Sequence, residues 1–355
     1  MSQKKRVAVV GCGIGRAHIK EGYAALPHLF EVRALCASSE KRLIPVADEF
    51  GIAHRSTSFE EVIHLPDVDI VDICTPPSLH FSQIKQALAA GKEVICEKPL
   101  VGSLAQLDAL IEAESHSTGR VLPIFQYRYG NGVQKAKHII DLGLAGKAYL
   151  ASVETAWQRG ANYYAVPWRG RFESELGGVL LTHAIHAHDM LTYLLGDIDS
   201  VFARTATRVN AIEVEDCAVA SLVMKNGALA SLSATLGSAK EISRLRFCFE
   251  HVTFESSLAP YAPGNDPWHI IPASADAKIR IDKALHKWRD RPTGFAGLLT
   301  DYHYALEAKT PLPITLYDAR RSLELISALY DSSRSSINVL LPLPKSHSYY
   351  SGWLP

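Results

Sequence analysis

The chain has 355 residues, 47% of them hydrophobic and 21% charged, with 37 basic side chains balanced by 37 acidic ones. At roughly 150 residues per domain that makes about two domains, each large enough for its own core, and the fractions exclude disordered, collagenous and coiled-coil chains. A formal net charge of zero excludes a protein that draws its affinity for nucleic acid or acidic membranes from surplus Lys and Arg.

The start, Met1-Ser2-Gln3-Lys4-Lys5-Arg6, has the basic character of a signal peptide. The apolar run after it, Val7 to Val10, stops at Gly11, short of the about 7–15 residues a signal's apolar region needs. It reads as a solvated start feeding a first strand. No apolar run approaches the roughly 20 residues of a membrane helix. The six cysteines, Cys12, Cys36, Cys74, Cys96, Cys217 and Cys248, form no C-x-x-C pair. Several sit in apolar runs, as core thiols do in a reducing compartment, so a cytoplasmic location is expected.

Up to about residue 125 short apolar runs alternate with amphipathic ones. Residues 7–10, 32–36, 70–74, 93–96 and 121–125 read as strands, while 78–90 and 104–117 carry helical spacing. That alternation implies a parallel sheet covered on both faces. Ser103 is a plausible N-cap and Gly91 a helix stop. Beyond residue 125, the runs 151–156, 201–208, 218–224, 228–234 and 244–249 read as longer alternating strands, with Asn226-Gly227 marking a hairpin. A mainly antiparallel sheet in an α+β domain follows. Residues 256–277 read as a long loop, 318–335 as a final amphipathic helix, and the remainder as a polar tail.

The turn Gly11-Cys12-Gly13-Ile14-Gly15-Arg16-Ala17-His18 directly follows the first strand. Its first glycine permits the tight turn, and its second lets the backbone approach a pyrophosphate resting on a helix N-terminus. The third glycine of the usual spacing is replaced by Arg16, and Gly15 comes one place early, so the turn is one residue short. After the second strand the sequence Ala37-Ser38-Ser39-Glu40-Lys41-Arg42 lacks an acid at the strand end for the ribose hydroxyls. Ser38, Ser39 and Arg42 suit a 2′-phosphate, which tilts the cofactor, NAD(P), toward NADP.

Three further stretches are Cys74-Thr75-Pro76-Pro77-Ser78-Leu79-His80, Glu97-Lys98-Pro99, and Gly177-Gly178 leading through Thr182, His183, His186 and His188 to Asp189. With Trp168-Arg169-Gly170 they resemble the glucose-fructose oxidoreductase/inositol dehydrogenase/MocA-like (Gfo/Idh/MocA) family over essentially the whole chain. The resemblance implies an α/β protein: an N-terminal Rossmann dinucleotide-binding domain (1–125) and a C-terminal α+β domain with a large, mainly antiparallel open sheet (126–340). By the same resemblance the latter is expected to bind substrate and to pair sheet to sheet into a homodimer or homotetramer, and a tail (341–355) follows. It implies cofactor contacts from Gly11, Gly13, Ile14, Gly15, Ser38, Arg42, Thr75, Pro76, His80, Glu97 and Lys98. It also implies that Lys98 points at the nicotinamide and the reacting hydroxyl, and that His186 is the general acid/base. Many members carry Asp where this chain has Thr182, so a hydroxyl replaces the usual carboxylate partner.

Thr182, His186 and Asp189, at i, i+4 and i+7, share one face of a helix. An imidazole with a pKa near 6.5 suits proton transfer at neutral pH. Lysine at a strand end can stabilise developing alkoxide charge. A zinc site on His183, His186 and His188 is not expected, because His186 and His188 diverge by about 200° around one helix. Tyr127, Arg128, Trp157, Tyr163, Trp168, Arg169, His183 and Asp189 are the substrate candidates, since flat aromatics among hydrogen-bond formers suit a sugar or polyol. The expected function is NAD(P)-dependent oxidoreduction of a sugar or polyol hydroxyl. Two alternatives stand beside it: a glycoside-processing enzyme that recycles bound NAD, and a non-catalytic dinucleotide- or sugar-binding regulator.

Overall fold

The computed structural model describes residues 4–354; the reading of the chain's start rests partly on residues 1–3, outside the described residues. The chain divides into two compact units, Met1–Gln126 with Gly294–Arg320, and Tyr127–Thr293 with Arg321–Pro355.

In the first unit, β1 (Lys5–Val10), β2 (Phe30–Cys36), β3 (His54–Ser56), β4 (Ile70–Ile73), β5 (Glu93–Cys96) and β6 (Val121–Pro123) form a sheet in the order β3-β2-β1-β4-β5-β6. Every neighbouring pair is parallel. Val7, Ala8, Val9, Ile70, Val71, Ile73, Val94 and Ile95 are wholly buried, so the central strands are apolar on both faces rather than alternating. Helices Glu40–Phe50, Phe59–Ile63, Pro77–Ala89 and Leu104–Ser115 connect them. The Ser103 hydroxyl accepts the Gln106 amide at 3.1 Å, and Gly91 takes the left-handed conformation (φ 71°) after Pro77–Ala89. The strand order reverses direction beside β1, placing the ligand crevice of such sheets at the carboxyl ends of β1 and β4.

The second half of the chain is not one continuous segment. Helix Gly294–Ala308 belongs to the first unit and lies on the π-helical turn His18–Gly22. A Cβ on Gly22 would stand 2.7 Å from Leu299 Cδ1 and 3.3 Å from Phe295 Cβ, so glycine admits the returning helix. Ion pairs Lys5–Glu307 (3.0 Å) and Arg320–Asp108 (2.8 Å) join the returning segment to the unit's earlier elements.

The second unit holds β7 (Ala148–Gln158), β8 (Ile198–Ala206), β9 (Cys217–Met224), β10 (Leu229–Thr235), β11 (Gly237–Phe249), β12 (Val252–Glu255), β13 (His269–Pro272) and β14 (Val339–Leu340). Their order is β13-β12-β11-β7-β10-β9-β8-β14, and among the described pairs of this second sheet β7–β10 alone is parallel. Asn226-Gly227 turns β9 into β10, with Gly227 at φ 85°. The face bearing Val201, Leu222, Ala230, Ala151, Phe247 and Phe254 is buried. The opposite face leaves Phe202, Val219, Val223, Leu229, Leu150 and Ile271 exposed.

Two expectations are corrected here. Residues 256–277 are not a single loop, because His269–Pro272 adds the edge strand β13, where proline is tolerated, and Ser274 caps helix Ala275–Leu285 through the Ala277 amide. The tail is not simply polar. Trp353 is buried, its indole donates to the Leu176 carbonyl at 2.7 Å, and its ring stacks on Tyr330. No described helix is long and apolar enough to cross a membrane.

Candidate active site

The glycine turn shows what each glycine does. Gly11 has φ 111°, and a Cβ there would stand 2.5 Å from the Cys74 carbonyl oxygen, so only glycine lets β1 turn beside β4. A Cβ on Gly15 would stand 2.9 Å from Val9 Cγ1 and 3.3 Å from Cys74 Cβ. Gly15 therefore performs the close helix–strand packing of the third glycine, one place early, and Arg16 swings out to Glu49 at 2.7 Å. A Cβ on Gly13 meets nothing within 4 Å. Open space there and exposed Ile14 beside it fit the close approach of a pyrophosphate to the backbone.

Behind this turn three residues not among the expected site residues, His18, Asp72 and Tyr23, form a network with Glu97. His18 Nδ1 meets Asp72 Oδ2 at 2.9 Å, and His18 Nε2 meets Glu97 Oε1 at 2.9 Å. Tyr23 donates to the same Asp72 oxygen at 2.9 Å, and Glu97 Oε2 accepts the Lys98 backbone amide at 3.0 Å. All of these except Lys98 are buried. Burial alone would lower the His18 pKa, but Asp72 outweighs it and holds the imidazole well above its ordinary value. Burial likewise pushes Glu97 up, yet His18 and then Lys98 bring it below the usual carboxylate value. Burial drives the Cys74 thiol upward, so it stays protonated. Donor atoms of His18, Asp72 and Cys74 lie within 4.8 Å of one another. The His18–Asp72 spacing is that of a hydrogen bond and Nε2 already serves Glu97, so a shared proton accounts for the cluster.

Of the expected cofactor contacts, His80 is wholly buried, its Nδ1 at 2.9 Å from the Pro99 carbonyl and Nε2 at 2.8 Å from the Thr75 carbonyl. It braces the turns after β4 and β5 from behind, and burial lowers its pKa. The Thr75 hydroxyl donates to Gln83 at 2.6 Å, while Pro76 starts helix Pro77–Ala89. Glu97 faces His18. Lys98 is half-exposed two residues past the end of β5. At the end of β2, Ser38 and Arg42 are exposed, and the Arg42 charge is felt by the Cys12 thiol in the glycine turn, whose pKa burial raises.

In the second unit, the helix expected to carry Thr182, His186 and Asp189 on one face is broken. Val179–Thr182 and Ile185–Leu195 are separate helices, with His183 and Ala184 between them. Thr182 donates to the Gly178 carbonyl at 2.8 Å and lies 2.7 Å from His183 Nδ1, so its hydroxyl orients His183. His186 is buried and stacks on Tyr127, with ring centroids 4.3 Å apart. Arg128 and Asp189, expected as substrate contacts, grip each other through two buried bonds of 2.7 and 2.5 Å. Their fork ties the short helix Gln126–Tyr129, and Tyr127 with it, to helix Ile185–Leu195.

The glycine pair before these helices answers to Glu215. A Cβ on Gly178 would overlap the Glu215 carbonyl oxygen, and one on Gly177 would stand 2.7 Å from the Tyr330 hydroxyl. Glu215 accepts the amides of Gly178 (3.1 Å) and Leu180 (3.0 Å) and the Tyr330 hydroxyl (2.6 Å). Burial still pushes it up to about 7 against those donors.

His183 lies edge-on to Trp157 at 5.7 Å and near Tyr163 at 5.5 Å. Arg169 lies over Trp168 and Tyr163, bonds the Tyr163 hydroxyl and approaches Glu175, so each ring already has one face on a guanidinium. Arg159, between Trp157, Tyr163 and Tyr261, belongs to the same cluster. It was not anticipated, and nothing but its position between aromatic residues signals it. Asp72 had a clear signal, a carboxylate inside an otherwise apolar buried strand.

A Rossmann sheet with a pyrophosphate-shaped turn and a histidine-bearing second unit define a dinucleotide-dependent enzyme. The oxidoreductase family with the NAD-binding Rossmann fold, Gfo/Idh/MocA, matches residues 5–125, and its C-terminal domain matches residues 133–255. The chain belongs to this family. It is 28% identical over 266 residues to levoglucosan dehydrogenase of Pseudarthrobacter phenanthrenivorans, covering 66% of this chain and 68% of that protein. It is 33% identical over 206 residues to scyllo-inositol 2-dehydrogenase (NAD(+)) of Bacillus subtilis, covering 57% of each. The crystal structure of the WlbA dehydrogenase from Bordetella pertussis in complex with NADH and UDP-GlcNAcA superposes with a TM-score of 0.84 at 26% identity, over 97% of this chain and 99% of that one.

His188, on the same helix as His186, is buried, and its ring meets no hydrogen-bonding group among the described residues. Burial pushes its pKa down to about 3. A base depressed in the folded state contributes stability that is present above its unfolded pKa, about 6.5, and lost as pH falls toward its folded one. His188→Leu is therefore expected to flatten the fall in Tm between pH 6.5 and 3, and an unchanged fall would show that burial of this ring carries no such cost.

Proposed function

We propose that this chain is a dehydrogenase that oxidises a hydroxyl of a carbohydrate or polyol, or reduces the matching ketone. The observation that carries the reading is the open turn at Gly13 together with a lysine just past β5 and a buried histidine stacked on Tyr127. Family membership and the substrates named for the relatives support it. The bound dinucleotide supplies hydride transfer, with Gly11, Gly13, Ile14 and Gly15 holding its pyrophosphate. Thr75, Pro76 and Lys98 line its nicotinamide end, braced by His80 and Glu97.

Lys98 holds its ammonium against the reacting oxygen and stabilises the charge that develops as the hydroxyl proton leaves. His186 takes that proton and returns it in the reverse direction. Tyr127 fixes the plane of the His186 ring, and the Arg128–Asp189 pair fixes Tyr127. His183, steered by Thr182, and the Trp168–Arg169 wall contact substrate, aromatic faces taking its apolar side and nitrogens its hydroxyls. The exposed apolar face of the larger sheet suits a second copy of the chain, in a homodimer or homotetramer. Six free thiols fit a cytoplasmic protein.

Three measurements test the reading. Formation of reduced cofactor across a panel of sugars and polyols should fall roughly 10²- to 10⁴-fold in Lys98→Met and His186→Asn, with Tm near that of the parent chain; full turnover in both sinks the assignment. At the β2 end, Ser38 and Arg42 take a 2′-phosphate, so Arg42→Ala should lower kcat/KM for NADP by roughly tenfold or more and leave NAD unchanged. Equal losses for both would remove the phosphate reading. Light scattering should find an oligomer in solution that Val219→Lys with Leu229→Lys converts to monomer; a monomeric parent chain would assign that face to something else.

A further inference from the structure

We propose that His18, Asp72 and Glu97 act as a positioning device for Lys98, a chain of alternating buried charge that fixes the β5 end and sets the lysine's ionisation. The proposal rests on the reading of Lys98 as the residue at the reacting oxygen.

The bonds run in series. Asp72, wholly buried in the middle of the sheet, holds His18 Nδ1 at 2.9 Å. His18 Nε2 holds Glu97 Oε1 at 2.9 Å, and Glu97 Oε2 takes the Lys98 amide at 3.0 Å. Signs alternate along the bonded chain, carboxylate, imidazolium, carboxylate, and its last bond is to the Lys98 backbone amide. The Lys98 charge is felt at Glu97, which it helps keep ionised. The same field acts in return on the Lys98 ammonium.

Four further titratable groups near this chain are neutral, among them the Cys74 thiol, 3.4 Å from His18 Nδ1. Cys74 and Cys96 are thiols whose pKa burial raises, and Tyr23 and Tyr302 are phenols raised for the same reason. From the returning helix, Phe295 covers the imidazole face at 4.4 Å. His18 is thus the cation that lets two buried carboxylates coexist. Three apolar side chains would fill this volume without desolvating charge. A purely structural brace has no need of that charge, whereas a device that must hand a fixed negative charge to Lys98 does.

Without His18, one of Asp72 and Glu97 must take up a proton. A neutral Glu97 no longer holds the Lys98 ammonium, so the lysine releases its proton at lower pH. The test compares His18→Asn, Asp72→Asn and Lys98→Met with the parent chain in initial rates against pH, dinucleotide affinity and thermal unfolding. In His18→Asn, kcat should fall roughly tenfold to a hundredfold and the alkaline limb of its pH profile should move down by about one unit. The dinucleotide Kd should stay within about threefold of the parent. Asp72→Asn, which keeps the His18–Glu97 bond, should move kcat and the limb the same way by less, and serves if His18→Asn does not fold. A second Glu97→Gln change added to His18→Asn should cost less than Glu97→Gln does alone. A folded His18→Asn or Asp72→Asn chain with parental kcat and an unmoved alkaline limb overturns the proposal. If Lys98→Met is then inactive, only the positioning role is lost; if Lys98→Met turns over fully, the reading of Lys98 falls with it.

Discussion

Asp72 sits in β4 between Val71 and Ile73, with no exposed surface, in a strand whose neighbours β1 and β5 are themselves covered. A lone carboxylate there would be too costly to keep ionised. It is kept by His18, which reaches in from the turn after the glycines and also reaches Glu97 beyond β5. One imidazole therefore joins the ends of three strands where a dinucleotide fold binds its ligand. The constraint spreads from there. Gly15 must be glycine for the first helix to lie against Val9 and Cys74, and Gly22 must be glycine for the returning helix to bring Phe295 over the His18 ring.

The second unit solves a related problem with different parts. Its site residues sit on two short helices, and a short helix leaves many amides without partners. Glu215 supplies acceptors for Gly178 and Leu180, Tyr330 holds Glu215, and Trp353 stacks on Tyr330 while bonding Leu176, which has φ 69°. Arg128 and Asp189 close a second buried fork of opposite charges. In both units a buried acid, not a catalytic residue, sets where the catalytic candidates stand.

How much of this was legible depended on whether a signal was local. The tight turn at Gly11, the strands around it and the Asn226-Gly227 hairpin follow from a few adjacent residues, and the structure has each of them. Lys98 and His186 stood out because their neighbours form recognisable patterns. The shortened turn left Gly15 without a role until its neighbours Val9 and Cys74 were known. The continuous helix assumed across Thr182 to Asp189 fails because Thr182 bonds back to Gly178 and the backbone bends at His183. No periodicity reports that bend. The returning helix Gly294–Ala308 and the anchoring of Trp353 were illegible for another reason. Both are long-range contacts, and the composition of the tail averages over its one buried indole.

His18 holds the two buried carboxylates as an imidazolium, and nitrogen NMR of histidine-labelled protein, assigned by the signal lost in His18→Asn, reads this directly. At a pH well above the ordinary range for imidazole, both ring nitrogens of His18 should carry the shifts of protonated sites. A neutral ring with one bare nitrogen would contradict the account, because the two carboxylates would then lack the cation said to hold them.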